Sequence, residues 1–328
     1  MQPNSTLTRV QGLLVGHQNL DHRPTGCTVI ICPEGTIGGV DVRGAAPGTR
    51  ETDVLAMQNS VEEVHAVLLA GGSAFGLDAA TGVMRWLERQ GRGIHVGPAC
   101  VPIVPGAVIF DLGVGDPQIR PDADSGWAAC EVASPAPVVL GNVGAGAGAT
   151  VGKVFGPQLS MKGGIGSAAL TVKGITVSAM VVVNALGDVI NPHSGQILAG
   201  ARKSALGLEL QDTVASLIQG TSPAALTTGI NTTIGVIATD AVLTKKQAHR
   251  LAQMGHNGLA RTLRPAHTPW DGDTLFALGT GGSGKSADMM LLTTLAAEVT
   301  AMAVVSAVES AQELRWGTGW WPSMHNLN

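Results

Sequence analysis

The sequence predicts a single α/β domain in which a mostly antiparallel sheet is covered by helices. Hydrophobic residues make up 45% of the 328 residues and charged residues only 13%, so much of the chain is expected to be buried. Two long alternating runs, 167–172 and 175–184, are separated by Lys173-Gly174, which is the pattern of a hairpin. Neither an internal repeat nor a sharp change in composition divides the chain, so we expect one domain over residues 1–328.

The N-terminal half is predicted to contain short strands and one helix. Leu77 to about Gln90 has apolar residues at helical spacing, and Gly91 is a typical end for that helix. Residues 91–134 contain several prolines and are expected to be rich in loops. The predicted strands of this half are 27–32, 38–42, 65–70 and the short segment 108–110.

The C-terminal part alternates strands and helices. Thr244 and Gln247 form a plausible capping box for its first helix. The tail from Trp316 to Asn328 carries three of the six tryptophans and is expected to dock on another surface, with a neighbouring subunit as one candidate. The predicted elements are a strand at 234–239, a helix at about 244–264, a strand at 274–279 and a helix at 286–310.

Composition argues against several classes of partner. The net charge is −4 and no basic block is present, so no nucleic-acid partner is expected. The apolar stretch Met289 to Val308 is interrupted by Glu298 and several threonines, which favours a packed helix over a membrane span.

The N-terminus shows no signal-peptide pattern, and a cytoplasmic location is expected. No C-x-x-C spacing suggests zinc or redox chemistry among Cys27, Cys32, Cys100 and Cys130.

The segment around Thr232 is a candidate catalytic site. The segment 229–234 is a turn with Gly and Asn that leads through Thr232 and Thr233 into the apolar run 235–238. A threonine there could attack the preceding carbonyl, cut the chain and gain a free α-amino group of pKa near 8 as its own general base. The alternative is a plain turn into a core strand, with the hydroxyls bonded to backbone.

Five motifs in one order make the chain resemble the DmpA/NylC family of self-cleaving aminopeptidases and nylon-oligomer hydrolases. Each motif is weak alone, but the order is specific and spans nearly the whole chain, to about Val308. The motifs are Pro24-Thr25-Gly26-Cys27-Thr28-Val29, the run 69–77 (Leu-Ala-Gly-Gly-Ser-Ala-Phe-Gly-Leu), the glycine-rich run 144–153 ending at Lys153, Asn231-Thr232-Thr233-Ile234, and the segment 267–277 containing Asp271-Gly272-Asp273.

The resemblance implies a four-layer αββα fold of the N-terminal-nucleophile type. It implies a precursor that cuts itself between Asn231 and Thr232 into a large chain, 1–231, and a small chain, 232–328, which stay together. It also implies homo-oligomers, often tetramers, and no metal or other cofactor. The implied substrates are short peptides, amino acid amides or esters, and 6-aminohexanoate oligomers.

The resemblance also assigns roles to individual residues. Thr232 is the implied nucleophile, Lys153 the cation beside it, and Asn184 the amide donor to the oxyanion, whereas a solvated lysine and a strand-capping amide are the plainer alternatives. Asp271 and Asp273 would hold nearby cations or share a proton, and the plainer alternative is a surface Asp-Gly turn. The Asp-Gly-Asp arrangement favours the nylon-oligomer branch. The histidines need no catalytic role, and His267 is expected to be a loop or packing residue.

One position departs from the family pattern. Family members often carry a tyrosine near the oxyanion in the segment that reads Val108-Ile109-Phe110-Asp111 here. This chain contains no tyrosine at all, so Phe110 is expected to line the substrate pocket without supplying a hydroxyl. Either another donor replaces that hydroxyl, or activity on the family's usual substrates is lower.

Two functions of other classes stay open at this point. Residues 279–286 fit the phosphate-binding pattern G-x-x-x-x-G-K-S between a strand and a helix, which would suit a nucleotide-binding protein. No later strand that could end in a Mg²⁺-binding aspartate follows it, which counts against that function. The other alternative is an uncleaved, non-catalytic binding scaffold.

Overall fold

A computed structural model describes residues 4–224, 231–286 and 288–327. Gly229 and Ile230 lie outside these ranges. Segment 191–229 is polar in composition and is predicted to be a partly helical surface segment, and its part from residue 225 onward also lies outside these ranges. The strands are β1 (Leu14–Asn19), β2 (Gly26–Ile31), β3 (Ile37–Val42), β4 (Thr49–Arg50), β5 (Ala66–Ala70), β6 (Ile94–Val96), β7 (Ala99–Val101), β8 (Gly106–Val108), β9 (Thr150–Val151), β10 (Met161–Lys162), β11 (Gly164–Val172), β12 (Ile175–Asn184), β13 (Asp188–Ile190), β14 (Ile197–Ala199), β15 (Thr232–Thr239), β16 (Leu263–Arg264), β17 (Thr274–Gly279), β18 (Leu314–Trp316) and β19 (Gly319–Trp321).

Helices cover these strands and agree with most of the predicted positions. The capping box of Thr244 and Gln247 is formed and starts the fourth helix. The helices are α1 (Ala79–Arg89), α2 (Ala123–Glu131), α3 (Thr213–Ile218), α4 (Lys245–Thr262) and α5 (Met289–Ser310).

Two five-stranded sheets form the centre of the molecule. Their strand orders are β1-β2-β5-β8-β4 and β11-β12-β15-β17-β3. The pairs β5–β8 and β15–β17 are parallel, and the other neighbours in these two sheets are antiparallel. The predicted hairpin is confirmed, with Val172 opposite Ile175. The mostly antiparallel character of the sheets is confirmed as well.

The sheets stack face to face, and each carries helices on its outer face. Alternate residues of both sheets, including Ile30, Leu69, Met180, Val236 and Phe276, form one buried cluster between them. Helices α1 and α2 cover the first sheet, and α4 and α5 cover the second. The expected four-layer αββα architecture is therefore confirmed.

Close packing of helix on sheet explains part of the high glycine content. A Cβ atom added at Gly166 of β11 would lie 2.1 Å from the carbonyl oxygen of Ala303 in α5. A side chain there would push the helix away from the strand. Helix α5 is long and apolar enough to cross a membrane, but 61% of its most apolar window is buried in the protein, as expected of a packed core helix.

The structure corrects two predictions in the first half of the chain and adds one feature of the topology. Helix α2 lies in the region predicted to be rich in loops, and Asp122 and Ser125 form its capping box. The strand predicted at 108–110 is β8 instead, which ends at Val108, so Phe110 follows the strand. Strands β2 and β3 flank one turn but belong to different sheets, because the chain crosses from one layer to the other there.

The C-terminal tail folds back onto its own chain. Strands β18 and β19 form a hairpin, and the segment after it lies against β10, where the N–H of Lys162 donates to the carbonyl of Pro322 at 2.8 Å. Ser323 is 1% exposed. The tryptophan-rich tail therefore docks, as expected, and the surface that receives it belongs to its own chain.

Candidate active site

Thr232 is the first residue of β15, the central strand of the second sheet. Its side chain is almost fully buried, with 3% exposure. The hydroxyl donates to the carbonyl oxygen of Asn231 at 2.5 Å, and the main-chain N–H of Gly272 donates to the same oxygen at 2.9 Å. Two donors thus converge on the carbonyl that precedes Thr232.

The turn that carries Gly272 fits closely over the hydroxyl of Thr232. Asn231 and Asp271 form a parallel bridge, which sets this turn beside the start of β15. A Cβ atom added at Gly272 would lie 2.9 Å from Thr232 Oγ1 and 2.7 Å from the carbonyl oxygen of Ala46. Only glycine therefore fits at the middle position of the Asp-Gly-Asp motif.

Asn184, the last residue of β12, lies directly opposite Thr232 in the sheet. Its Oδ1 accepts hydrogen bonds from the main-chain N–H of Thr150 at 3.0 Å and from Lys153 Nζ at 2.9 Å. The Thr150 donor fixes which amide atom is the oxygen. The Nδ2 group then faces the carbonyl of Phe110 at 3.2 Å.

Lys153 is buried beside Asn184. Its Nζ donates to both Oδ1 and the main-chain oxygen of Asn184, each at 2.9 Å. Burial lowers the pKa of Lys153 to about 7, although the carboxylates of Asp271 and Asp111 partly oppose this shift. The lysine consequently changes its charge near neutral pH.

The two aspartates of the motif are both buried and hold different partners. Asp271 Oδ2 accepts from the N–H and the hydroxyl of Thr268, each at 2.7 Å. Burial, and then the charge of Asp273, raise the pKa of Asp271 to about 6 against the lowering effects of Thr268 and Lys153. Asp273 Oδ1 accepts from the N–H of Thr233 at 2.7 Å, next to the candidate nucleophile.

His267 lies in a loop, as expected, and also contacts the aspartate motif. Its Nδ1 lies 2.8 Å from Asp273 Oδ2, and its main-chain N–H donates to the same oxygen at 3.2 Å. Three further residues of the site were not singled out from the sequence: Thr150, Thr268 and Gly272. The spacing Thr268-x-x-Asp271 could have indicated the Thr268 contact, because hydroxyl residues bond a carboxylate three residues away in tight turns.

A buried ion pair positions the segment that contains Phe110. Asp111 accepts from Arg23 Nη2 at 2.7 Å, from the hydroxyl of Thr25 at 2.6 Å and from the N–H of Gly72 at 2.8 Å. These bonds satisfy both carboxylate oxygens and tie three separate loops together. Phe110 itself lines a cavity of about 140 Å³ that also contacts Lys153.

The phosphate-binding pattern at 279–286 does not form a phosphate cradle. Lys285 Nζ donates to the carbonyls of Lys173 and Gly174, at 3.0 and 3.3 Å, in the turn of the β11–β12 hairpin. The side chain of Asp288 caps α5 by accepting from the N–H groups of Met290 and Leu291. A carboxylate thus occupies the helix N-terminus where a phosphate would bind. Among the described residues, no cluster of His, Cys, Asp and Glu suits a metal ion.

Comparison with solved structures defines the class of the fold. The l-aminopeptidase d-Ala-esterase/amidase of Ochrobactrum anthropi, described as a variant among the Ntn hydrolase fold, is 19% identical, with a TM-score of 0.72 over 98% of this chain and 91% of that one. The PH0078 protein of Pyrococcus horikoshii is 22% identical, with a TM-score of 0.74 over 99% and 93%. The chain has the fold of the Ntn hydrolases.

Sequence comparison then gives the family. The family described as peptidase family S58 matches residues 5–319, and the chain belongs to it. An uncharacterized aminopeptidase of Mycobacterium tuberculosis is 47% identical over 94% of both chains. A 6-aminohexanoate-oligomer endohydrolase of Paenarthrobacter ureafaciens is 32% identical over 82% of this chain and 73% of that one. The resemblance to the DmpA/NylC family is confirmed, and the chain is a hydrolase of amide or peptide bonds.

Proposed function

We propose that this chain is a precursor that cleaves itself between Asn231 and Thr232 and then uses Thr232 as an N-terminal nucleophile. The observation that carries the proposal is the pair of donors on the Asn231 carbonyl. The hydroxyl of Thr232 lies against the group that it would attack, and the N–H of Gly272 lies where negative charge would develop on the oxygen.

The self-cleavage step is an N-to-O acyl shift followed by hydrolysis. Thr232 Oγ1 bonds to the carbonyl carbon of Asn231 and loses its proton to a neighbouring base, while Gly272 stabilises the oxyanion. The C–N bond breaks, the nitrogen takes a proton, and an ester remains. Water hydrolyses that ester, which yields chains 1–231 and 232–328 and a free α-amine on Thr232.

The new α-amine then acts as general base for the Thr232 hydroxyl. An ordinary α-amine has a pKa near 8, and a nearby cation disfavours its protonation. Lys153 supplies such a cation when it is charged, and Asp271 and Asp273 balance it. We assign Asn184 as oxyanion donor for the substrate, because Nδ2 has two hydrogens and the carbonyl of Phe110 takes only one.

The substrates proposed are short peptides, amino acid amides and 6-aminohexanoate oligomers. The names of the relatives support these classes, since they include an aminopeptidase and a 6-aminohexanoate-oligomer endohydrolase. We further propose that the two cleaved chains stay associated, that the protein forms a homo-oligomer, with a tetramer favoured, and that it acts in the cytoplasm. No nucleic acid, membrane, metal or other cofactor is required by this chemistry.

Hydrolysis assays test the proposed activity. Purified protein is incubated with amino acid amides, dipeptides and 6-aminohexanoate oligomers, and the released amine is measured. We expect turnover of at least one of these classes by the natural chain and by Thr233→Ala, and none by Thr232→Ala. Equal turnover by Thr232→Ala would contradict the assignment of the nucleophile.

A further inference from the structure

A small apolar cavity lies beside the candidate catalytic lysine. Its volume is about 140 Å³, and its walls include Phe110, Val114, Pro157 and Trp321. For comparison, an apolar cavity of roughly 150 Å³ in a protein core can hold a benzene molecule. The space therefore suits a compact ring or a branched aliphatic group.

Most polar groups that line the cavity already form hydrogen bonds within the protein, so a ligand would be bound mainly by apolar contacts. The hydroxyl of Ser160 donates to the carbonyl of Pro157 at 2.6 Å, and both oxygens of Asp111 already accept hydrogen bonds. Thr150 and Lys153 mark the end of the cavity that adjoins the Asn184 amide. A group in the cavity is thus next to the proposed site of amide attack.

Trp321 closes the cavity from the C-terminal tail, and its position is fixed by main-chain bonds. The carbonyl of the next residue, Pro322, accepts from the N–H of Lys162 at 2.8 Å. Lys162 pairs with Thr150 between β10 and β9, so the tail is tied to the segment that leads to Lys153. The family match ends at residue 319, before Trp321. This wall is therefore contributed by a part of the chain outside the matched region.

We propose that Phe110, Val114 and Trp321 form a binding subsite for a compact apolar side chain of the substrate, aromatic or branched, next to the scissile amide. The proposal rests on the proposed function, because it places the group beside the nucleophile of that reaction. A linear 6-aminohexanoate unit suits the subsite poorly, since its far amide would be buried without a hydrogen-bond partner. The subsite thus favours amides of hydrophobic amino acids.

An outer groove adjoins the subsite across Trp321. Trp316, Trp320 and Trp321 line this groove together with Pro157 and Gln158, and its volume is about 550 Å³. Trp316 lines the groove and does not line the cavity. Trp316→Ala is consequently a matched control for a change at Trp321.

The test compares kcat/KM for phenylalanine amide with kcat/KM for alanine amide. We expect the natural chain to prefer phenylalanine amide by about tenfold or more, the scale of discrimination that apolar pockets achieve. Trp321→Ala should reduce that ratio about tenfold by opening the cavity to water. Val114→Phe should reduce it similarly by filling the cavity, and Trp316→Ala should leave it unchanged. A ratio near one in the natural chain, or an unchanged ratio in Trp321→Ala, would overturn the subsite.

A binding measurement separates this proposal from the proposed catalysis. Calorimetry of the cleaved natural protein with phenylalaninol and alaninol, which have no amide to hydrolyse, reports the subsite without any turnover. Tighter binding of phenylalaninol that Trp321→Ala abolishes would support the subsite even if no amide were hydrolysed. Equal binding of the two amino alcohols would refute the subsite even if hydrolysis of amides were observed.

Discussion

The main-chain N–H of Gly272 and the carbonyl of Asn231 are joined by a 2.9 Å hydrogen bond, and the hydroxyl of Thr232 donates to the same oxygen. This relationship places an oxyanion donor and a nucleophile on one peptide group. The donor comes from the backbone of the Asp-Gly-Asp turn, whose aspartates reach Thr233 and Thr268. The main chain of the turn thus provides the oxyanion donor, and its aspartate side chains accept hydrogen bonds from neighbouring segments.

Gly272→Ala should slow self-cleavage by about a hundredfold. The added methyl group would lie 2.9 Å from Thr232 Oγ1, and a misplacement of the reacting atoms by about 1 Å is enough for that loss. The measurement is the rate of fragment formation on a denaturing gel. Gly282→Ala is the control, because its nearest new contact is 3.5 Å away, and it should cleave at the natural rate. Normal cleavage of Gly272→Ala would refute the tight fit over the hydroxyl.

Self-cleavage should accelerate as the pH rises from 6 to 8. Asp271, with a pKa of about 6, and Lys153, with a pKa of about 7, both lose protons in this range and become able to accept one. Lys153→Arg keeps a charge that does not titrate there and should remove the part of the rise near pH 7. The measurement is the cleavage rate of protein refolded at each pH, and an unaltered profile in Lys153→Arg would exclude the lysine as its source.

Asp273→Asn and Asp271→Asn should have different effects on stability. Asp273 accepts hydrogen bonds through both carboxylate oxygens, so an amide there leaves a buried donor unpaired at a cost of about 1–3 kcal/mol. Asp271 accepts both hydrogen bonds from Thr268 through one oxygen, and an asparagine retains one such oxygen. Burial, and then the charge of Asp273, raise the pKa of Asp271 from 3.8 to about 6, so its ionisation opposes folding. This penalty grows between about pH 4 and pH 6 and is complete above pH 6. Asp271→Asn should therefore stabilise the chain increasingly from pH 4 to pH 6 and by a constant amount above pH 6.

Urea unfolding in the uncleaved Thr232→Ala background checks both aspartate substitutions. The background keeps one chain of constant length, so the two variants differ only at the aspartate. Equal losses of stability in the two variants at pH 8 would show that Asp271 is a required hydrogen-bond acceptor. That result would contradict the prediction that Asp273→Asn destabilises the chain and Asp271→Asn stabilises it.

Phe110→Tyr should increase hydrolysis of small amides such as alanine amide by roughly tenfold. The Phe110 segment lies beside the Asn184 amide, and a new hydroxyl there supplies a further donor near the proposed oxyanion. The measurement is kcat/KM, with Phe110→Leu as the control that changes the ring without adding a donor. A loss of activity in both variants would show that the ring is needed for packing and that the missing hydroxyl is not limiting.

Much of the scaffold could be predicted from sequence because it depends on local patterns. The hairpin of β11 and β12 follows from alternation around Lys173-Gly174, and α4 follows from its capping box. Helix α2 was not predicted because the prolines on either side of it favour loops. The pair Asp122 and Ser125, which forms its capping box, could have indicated where the helix begins. The assignment of β2 and β3 to different sheets could not be predicted, since it depends on contacts between distant residues.

The site could be predicted only in part for the same reason. The family resemblance identified the five candidate residues Thr232, Lys153, Asn184, Asp271 and Asp273, and the fold brings Asn184 opposite Thr232 by strand register. Apart from the Thr268-x-x-Asp271 spacing, no sequence pattern marks the partners of these residues, such as the N–H of Gly272. The wall provided by Trp321 depends on how the tail docks, which only the structure shows.

Thr232 is proposed to cut the bond to Asn231, and intact mass measurement beside a denaturing gel shows whether it does. Chain lengths of 231 and 97 of the 328 residues divide the 33.3 kDa mass into fragments of about 23 and 10 kDa. We expect both fragments from the natural chain and from Thr233→Ala, and a whole chain from Thr232→Ala. A natural chain that stays whole after long incubation, as a non-catalytic scaffold would, refutes self-cleavage by Thr232.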